Sequence, residues 1–136
     1  MYFLIYRSEA INPMTESDLK SLLTQSRHRN NSLDITGMLL YFDNKFLQLL
    51  EGDEEQVKLL YKAICADDRH RHVSMLKDGP ADKRLFPGWS MSFRVVSEAE
   101  LANEPGYKDI YTPGTSGALD LVSLFNLLRG KSTVKS

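Results

Sequence analysis

One stretch of the sequence decides the fold: Ile35-Thr36-Gly37-Met38-Leu39-Leu40-Tyr41-Phe42, then Asp43-Asn44, then Lys45-Phe46-Leu47-Gln48-Leu49-Leu50-Glu51. The outer segments are rich in aromatic and branched residues, as β-strands are, and the two residues between them suit a tight hairpin turn. Both strands are apolar on both faces, whereas a strand with one face in water alternates apolar and polar residues. We therefore predict a central hairpin in a sheet that is covered on both sides.

A strand and a helix precede this hairpin. Aromatic and branched residues from Tyr2 to Tyr6 predict the first strand. The residues from Thr15 to Asp18 resemble a capping box with Asp in place of Glu, and an apolar stripe at helical spacing follows them. The stripe consists of Leu19, Leu22 and Leu23. The Arg-His-Arg run at 27–29 suits the negative end of the helix dipole, so it needs no functional explanation.

A second helix and two further strands follow the hairpin. The residues from Asp53 to Gln56 predict the N-terminus of a helix that ends near Asp67-Asp68. Its apolar stripe consists of Val57, Leu60, Tyr61 and Ile64. His72–Leu76 and Trp89–Val96 are strand candidates, with a proline-bounded loop between them.

The predicted order β-α-β-β-α-β-β begins with the split pattern of a ferredoxin-like α+β sandwich, in which both helices pack on one sheet face. The additional strand extends that sheet. Residues 97–136 are predicted to be a separate C-terminal unit, a connector and then an apolar helix. The stripe of that helix is Leu121, Leu124, Phe125 and Leu128. Because the second sheet face also needs cover, we expect this C-terminal helical extension on the opposite sheet face, leaving residues 1–96 as the main domain.

Composition excludes several classes of protein. The chain of 136 residues is 42% hydrophobic, which is enough for one core and argues against disorder. Its net charge of −1 provides no basic field for nucleic acid or for an anionic membrane, and no stretch approaches the ~20 apolar residues of a membrane span. A single cysteine, Cys65, and no signal segment indicate a cytoplasmic protein, and we expect no metal site.

Gln48 is the residue whose polarity agrees least with its neighbours in the sequence. It lies in the middle of a strand that is apolar on both faces, so its amide is expected to be buried and to need partners. Leaving that amide unpaired would cost about 1–3 kcal/mol. A glutamine bonded to neighbouring side chains or to a buried water explains the pattern about as well as a functional residue does.

Four other residues have ordinary structural explanations. Tyr6, on the same strand face as Tyr2, is typical of a packed core tyrosine. Asn30 is typical of a helix C-cap, and Trp89 and Met91, on one face of the last predicted strand, are typical of core residues.

Taken together, six segments resemble the BLUF family of flavin-binding blue-light sensors over about residues 1–93. The segments are Tyr6-Arg7-Ser8, Asn30-Asn31, Ile35-Thr36-Gly37, Phe46-Leu47-Gln48-Leu49-Leu50-Glu51-Gly52, Asp67-Asp68-Arg69-His70 and Gly88-Trp89-Ser90-Met91. Each is weak alone, whereas their order and spacing together are specific.

The resemblance implies non-covalent FAD, or another flavin with the same ring, held between the two helices. By analogy Tyr6 donates an electron and a proton to the excited flavin, and Gln48 is the amide between that tyrosine and the flavin. Asn30 would hold the edge of the ring, and Trp89 and Met91 would report the state of the glutamine. The family's site also extends to the segment that ends here in Arg69-His70, and Ile64 lies on the helical stripe that would face the ring.

The resemblance also implies that light switches hydrogen bonds without a catalytic step in this chain. We then expect an unidentified downstream signalling protein as partner, and a homo-oligomer. Two alternatives belong to other classes: a non-photoactive ferredoxin-like interaction module, and a small hydrolase on the same scaffold.

Overall fold

A computed structural model of the chain describes residues 1–88, 90–95 and 125. Its elements follow the predicted order β-α-β-β-α-β-β. They are β1 (Tyr2–Ala10), α1 (Glu16–Ser32), β2 (Thr36–Phe42), β3 (Lys45–Gly52), α2 (Glu54–Cys65), β4 (His70–Pro80) and β5 (Ser92–Val95). The α+β prediction is confirmed.

The strands form one mixed sheet in the order β4-β1-β3-β2-β5. The first four have the ferredoxin-like arrangement, in which β1 and β3 are the central antiparallel pair and the hairpin partner β2 lies beside β3. β5 runs parallel to β2 and extends the sheet at that edge, as predicted.

The β2–β3 turn forms at the predicted pair. Asp43 and Asn44 have φ angles of 47° and 60°, which is the left-handed region that Asp and Asn tolerate and that favoured hairpin turns require. The Asn44 Nδ2 group also donates to the carbonyl oxygen of Ala10 at 3.1 Å, so the turn is fastened to the end of β1.

Both helix starts are capped. The Thr15 hydroxyl accepts from the backbone N–H of Asp18 at 3.1 Å, and the Asp18 carboxylate accepts from the backbone N–H of Thr15 at 3.0 Å, which completes the predicted capping box. Asp53 caps α2, which ends at Cys65, slightly before the predicted Asp67-Asp68. α1 continues to Ser32, so Asn30 lies inside the helix and the C-cap prediction for it is wrong.

Two apolar clusters lie on opposite faces of the sheet. The first is under the helices and includes Tyr6, Leu19, Leu23, Leu60 and Ile64. The second, which we call the far-face cluster, comprises Ile5, Met38, Leu40, Phe42, Leu47, Leu49, Phe86 and Phe125. Phe125 is helical and fully buried there, so at this residue the predicted C-terminal helix covers the far face. The other stripe residues of that helix lie outside the described residues.

Two strand boundaries differ from the predictions. β4 is longer than His72–Leu76, because it pairs with the whole of β1, from Tyr2 opposite Pro80 to Ala10 opposite His70. β5 begins at Ser92 and not at Trp89, since its first partner on β2 is Met38. Met91 therefore precedes the strand, and Trp89 lies outside the described residues.

Candidate functional site

A cavity that is partly open to solvent lies between the two helices and the sheet. Six of the residues singled out above line it: Tyr6, Leu22, Gln48, Ile64, Arg69 and His70. Six more line it that were not predicted individually as site residues, although Phe46 and Asp67 belong to segments that resemble the family: Met14, Ser26, Arg29, Leu39, Phe46 and Asp67. We call this cavity the slot.

A hydrogen-bond chain begins at the floor of the slot. Tyr6 on β1 and Gln48 on β3 are directly opposite in the antiparallel register, and the Tyr6 hydroxyl donates to Gln48 Oε1. The Gln48 Nε2 group donates in turn to Met91 Sδ at 3.3 Å. All three side chains are buried. The amide nitrogen has two N–H groups and this contact uses one, so the other remains for a further acceptor.

The environment of Tyr6 keeps its hydroxyl protonated. Burial raises the pKa of Tyr6 far above its ordinary value, and the nearby Arg29 guanidinium opposes this only in part. The Tyr61 ring packs against Tyr6 with a centroid separation of 5.7 Å, and burial raises the pKa of Tyr61 to about 12. Both phenols are therefore neutral at physiological pH.

Asn30 is fully buried next to the loop that leads to β5. Its Nδ2 group donates to the carbonyl oxygen of Ser90 at 2.9 Å, while its Oδ1 atom is buried without a partner. An unpaired buried acceptor costs about 1–3 kcal/mol, so such an atom is evidence for a ligand that donates to it. The nearby Arg27 donates its Nε–H to the Met91 carbonyl oxygen at 3.1 Å, which fixes the same loop from α1.

The α2–β4 connection closes one end of the slot. Arg69 binds the Asp67 carboxylate through Nε at 3.0 Å and through Nη2 at 2.5 Å, and its Nη1 donates to Gln25 Oε1 on α1 at 3.0 Å. The hydrogen bond from Arg69 lowers the pKa of Asp67. His70 bridges two elements, with Nδ1 2.8 Å from Ser8 Oγ and Nε2 2.6 Å from the Ile64 carbonyl oxygen.

A pattern in the sequence of α1 could have identified Ser26 and Asn30 as residues on its buried face. The buried residues of α1 are Leu19, Leu23, Ser26 and Asn30, which follow one helical stripe. The stripe changes from apolar to polar toward its C-terminal end, and a buried polar continuation of an apolar stripe indicates a ligand-facing surface.

The donors and acceptors of the slot fit an isoalloxazine ring. Leu22, Leu39, Phe46 and Ile64 supply apolar walls for a flat ring system. Gln48 has an N–H for a ring acceptor. Asn30 is not among the residues that line the slot, but it directly follows Arg29, which does, and its unpaired Oδ1 suits the ring's imide N–H. Within the described residues no cluster of three metal-ligating side chains occurs, and no helix there is long and apolar enough to span a bilayer.

Comparison with known proteins agrees with this fit. The family model described as BLUF, sensors of blue light using FAD, matches residues 1–92. The blue light- and temperature-regulated antirepressor BluF of Escherichia coli is 41% identical over 83 residues, covering 61% of this chain and 21% of that protein. The photoactivated adenylate cyclase subunit beta of Euglena longa is 35% identical over 108 residues, covering 79% of this chain and 12% of that protein. The chain thus spans about a fifth or less of these relatives.

Solved structures agree with the sequence relatives. The dark-state structure of BlrB, a BLUF protein, has 32% identity and a TM-score of 0.76, with 96% of each chain covered. The photo-activated state of BlsA has 31% identity and a TM-score of 0.78, with 93% of each chain covered. These matches support the photosensor over the interaction module and the hydrolase. The chain therefore belongs to the BLUF family, the sensors of blue light that use FAD.

Proposed function

We propose that this chain converts light absorption into a rearrangement of the Tyr6–Gln48–Met91 hydrogen-bond chain. The observation that carries the proposal is that chain itself: a buried tyrosine donates to a buried amide, which donates to a buried thioether at the slot. When bound, FAD supplies the blue-light absorption and, once excited, an electron acceptor beside Tyr6.

Tyr6 is the proposed electron and proton donor. In the dark its raised pKa keeps the proton on the phenol, and that proton lies on a hydrogen bond to Gln48 Oε1. Loss of one electron makes a phenol strongly acidic, so the proton leaves along the bond that is already formed. Return of one electron and one proton restores Tyr6, and the cycle consumes neither.

Gln48 is the proposed switch. An amide has a donor and an acceptor on opposite sides at nearly equal volume, so rotation or tautomerisation of Gln48 exchanges them without repacking. The exchange would change what the amide presents to Tyr6 and to Met91. Met91 directly precedes β5, so the change would be transmitted to this strand at the edge of the sheet.

Other residues hold the ring in this proposal. Asn30 binds its imide edge through the unpaired Oδ1, Ile64 packs on its face, and Arg69 and His70 close the slot. The family resemblance assigns Trp89 a reporting role together with Met91.

The proposed output is binding of an unidentified downstream signalling protein, with the chain acting as a sensor and not as an enzyme. Proteins named as an antirepressor and as photoactivated cyclases share this domain, which supports an output passed to another unit. We further propose that the chain is cytoplasmic and forms a homo-oligomer.

The test is spectroscopic. Purified protein loaded with FAD should be yellow, shift its visible absorption slightly to longer wavelength after blue light, and relax in darkness. Bound FAD with no reversible shift would refute the hydrogen-bond switch, and failure to bind any flavin would refute the assigned site.

A further inference from the structure

Glu51 is a buried carboxylate outside the slot. It is 1% exposed near the end of β3, and by strand alternation it shares the face of Leu49 in the far-face cluster. Its Oε1 atom accepts from the Thr36 hydroxyl at 3.0 Å and from the backbone N–H of Phe86 at 2.7 Å. Its Oε2 atom accepts from the backbone N–H of Leu85 at 2.8 Å. Burying a carboxylate is costly, so its use to hold a loop needs an explanation.

Arg84 fastens the same loop to the open end of the β2–β3 hairpin. Its Nη1 group donates to Thr36 Oγ1 at 2.9 Å and to the backbone carbonyl oxygen of Glu51 at 3.2 Å. Its Nη2 group donates to the backbone carbonyl oxygen of Asp34 at 2.8 Å. The Thr36 hydroxyl thus accepts from Arg84 and donates to Glu51. We call Thr36, Glu51 and Arg84 the loop clamp, and its charged hydrogen bonds are stronger than neutral ones.

The loop between β4 and β5 is buried at two points on opposite faces of the sheet. Phe86 is fully buried in the far-face cluster, and Met91 is fully buried on the helix side. Only residues 87–90 separate them, and Gly88 has a φ angle of 80°, in the left-handed region that favours glycine. Because this segment is short, the position of Phe86 restricts the position of Met91.

Both points of the loop are held from β3. Glu51 binds the backbone of Phe86, and Gln48, three residues earlier and on the other face, donates to Met91 Sδ. A thioether only accepts hydrogen bonds, so after rotation of the amide Oε1 would face the sulfur and that bond would be lost. A Met91 side chain that is fixed in place therefore favours the dark orientation of Gln48.

We propose that Glu51 is a positioning residue for the light reaction: it fixes Phe86, and through the short loop it holds Met91 against Gln48. The inference rests on the proposed hydrogen-bond switch. Glu51 does not line the slot, so it acts through the loop and not on the flavin. Release of the clamp would let Met91 withdraw from the rotated amide, so the state formed in light should last longer.

The first measurement is the rate of dark recovery of the full chain loaded with FAD, followed by visible absorption after blue light. E51Q sets an amide NH2 group against a backbone N–H of the loop and should slow recovery about three- to tenfold, the range of one ordinary hydrogen bond. R84Q removes another part of the clamp and should also slow recovery. Flavin binding should be unchanged in both variants, because neither residue lines the slot.

Two controls separate positioning from lost stability. F42L weakens the far-face cluster at the opposite end of the β2–β3 hairpin, where Phe42 is paired with Lys45, and should keep the wild-type recovery rate. K83Q removes an exposed cation beside Arg84 and should also match wild type. An unchanged or faster recovery in E51Q, or equal slowing in F42L, overturns the proposal. If E51Q does not fold, R84Q is compared with K83Q, and equal rates overturn the proposal.

The second measurement needs no light. In NMR spectra of the FAD-loaded chain with methyl-labelled methionines, the Met91 signal, identified with M91L, should move in E51Q. The signal of Met75, which is 42% exposed on β4, should stay in place. An unmoved Met91 signal overturns the proposal, and with a normal photocycle in wild type it refutes only the role of Glu51. A moved signal together with no light-induced shift in wild type refutes only the switch.

Discussion

Gln48 is a polar residue in the middle of an apolar strand, yet its buried side chain has hydrogen-bond partners. It is 3% exposed between apolar neighbours, yet both ends of its amide are bonded, to Tyr6 and to Met91. A buried polar group with partners costs little, whereas removing one partner leaves the other unpaired. The chemistry of the site therefore depends on single atoms, and substitutions there should separate folding from function.

Replacing Tyr6 with Phe should retain flavin and abolish the light-induced absorption shift. The ring still packs in the core, but Gln48 Oε1 loses its donor, which lowers the free energy of unfolding by about 1–3 kcal/mol. Absorption spectra before and after illumination, with urea unfolding, measure both effects. Tyr2→Phe is the control, because it removes a hydroxyl from the same face of β1 at a bond to Asp78 and should keep the shift. A normal photocycle in Tyr6→Phe would remove Tyr6 from the mechanism.

Replacing Gln48 with Glu or with Leu should leave a folded protein that binds flavin and lacks the normal signalling state. Neither side chain can exchange an amide donor for an acceptor in the space between Tyr6 and Met91. Gln25→Leu, which removes an amide bonded to Arg69, is the matched control and should keep the photocycle. An unchanged red shift in both Gln48 variants would count against amide switching.

At the scale of elements, the hydrogen bonds of Arg69 and His70 hold the α2–β4 connection in place. The Arg69 side chain joins Asp67 to Gln25 of α1, and His70 joins β4 to β1 and α2. The hydrogen bond from Arg69 lowers the pKa of Asp67, and the same bond raises the pKa of Arg69. Stability at this end of the slot is therefore linked to pH.

Because the pKa of Asp67 is lower in the folded state, the unfolded chain binds the proton first as pH falls. The stabilisation from Asp67 is complete above the unfolded pKa of about 3.9 and is lost as pH falls through the folded value. Asp67→Asn should therefore have a shallower decrease of unfolding free energy between about pH 5 and 3, measured by urea unfolding. Asp68→Asn changes an exposed neighbouring carboxylate and should keep the wild-type slope. Equal slopes in wild type and Asp67→Asn would contradict this linkage.

At the scale of the whole molecule, the sheet joins two separate cores. Gln48 and Met91 belong to the helix side, and Met91 leads directly into β5. β5 pairs with β2, whose Met38 and Leu40 lie in the far-face cluster with Phe125. A rearrangement of Gln48 can therefore be transmitted through Met91 and the β2–β5 strand pair to the far-face cluster.

Phe125→Ala should lower the free energy of unfolding by about 3–5 kcal/mol, because it removes a fully buried aromatic ring from the far-face cluster. The slot is on the other face, so flavin binding and the absorption shift should persist. Leu59→Ala truncates a side chain that is 58% exposed and should change stability by about 0.5 kcal/mol or less. Loss of the absorption shift in folded Phe125→Ala would show that the two faces are not separable.

Light should also change the docking of the C-terminal segment. We expect hydrogen exchange of peptides from residues 116–129, which contain Phe125, to be faster under illumination than in darkness. Truncation after about Val96 should keep flavin binding and the shift while removing light-dependent partner binding or oligomer change. Identical exchange in both states would exclude this route for the signal, whatever the photochemistry does.

The sequence by itself determined the helices, strands and turns, because the patterns that specify them involve residues close together in the chain. Turn residues, the Thr15 capping box and the two-sided hairpin depend on neighbours within a few positions, and each formed where it was predicted. The pattern of Gln48 in an apolar strand also marked the site, since a buried amide is anomalous wherever the strand lies.

Only the tertiary structure decided which atoms meet. The Tyr6–Gln48 pair depends on the β1–β3 register, and the unpaired atoms of Arg29 and Asn30 depend on how α1 packs over the sheet. The extension of β4 and the late start of β5 likewise depend on distant partner strands. Contacts between residues far apart in sequence leave no local pattern. The charge of Arg29 suits the dipole of α1, so this residue could be identified as part of the slot only once the position of α1 was known.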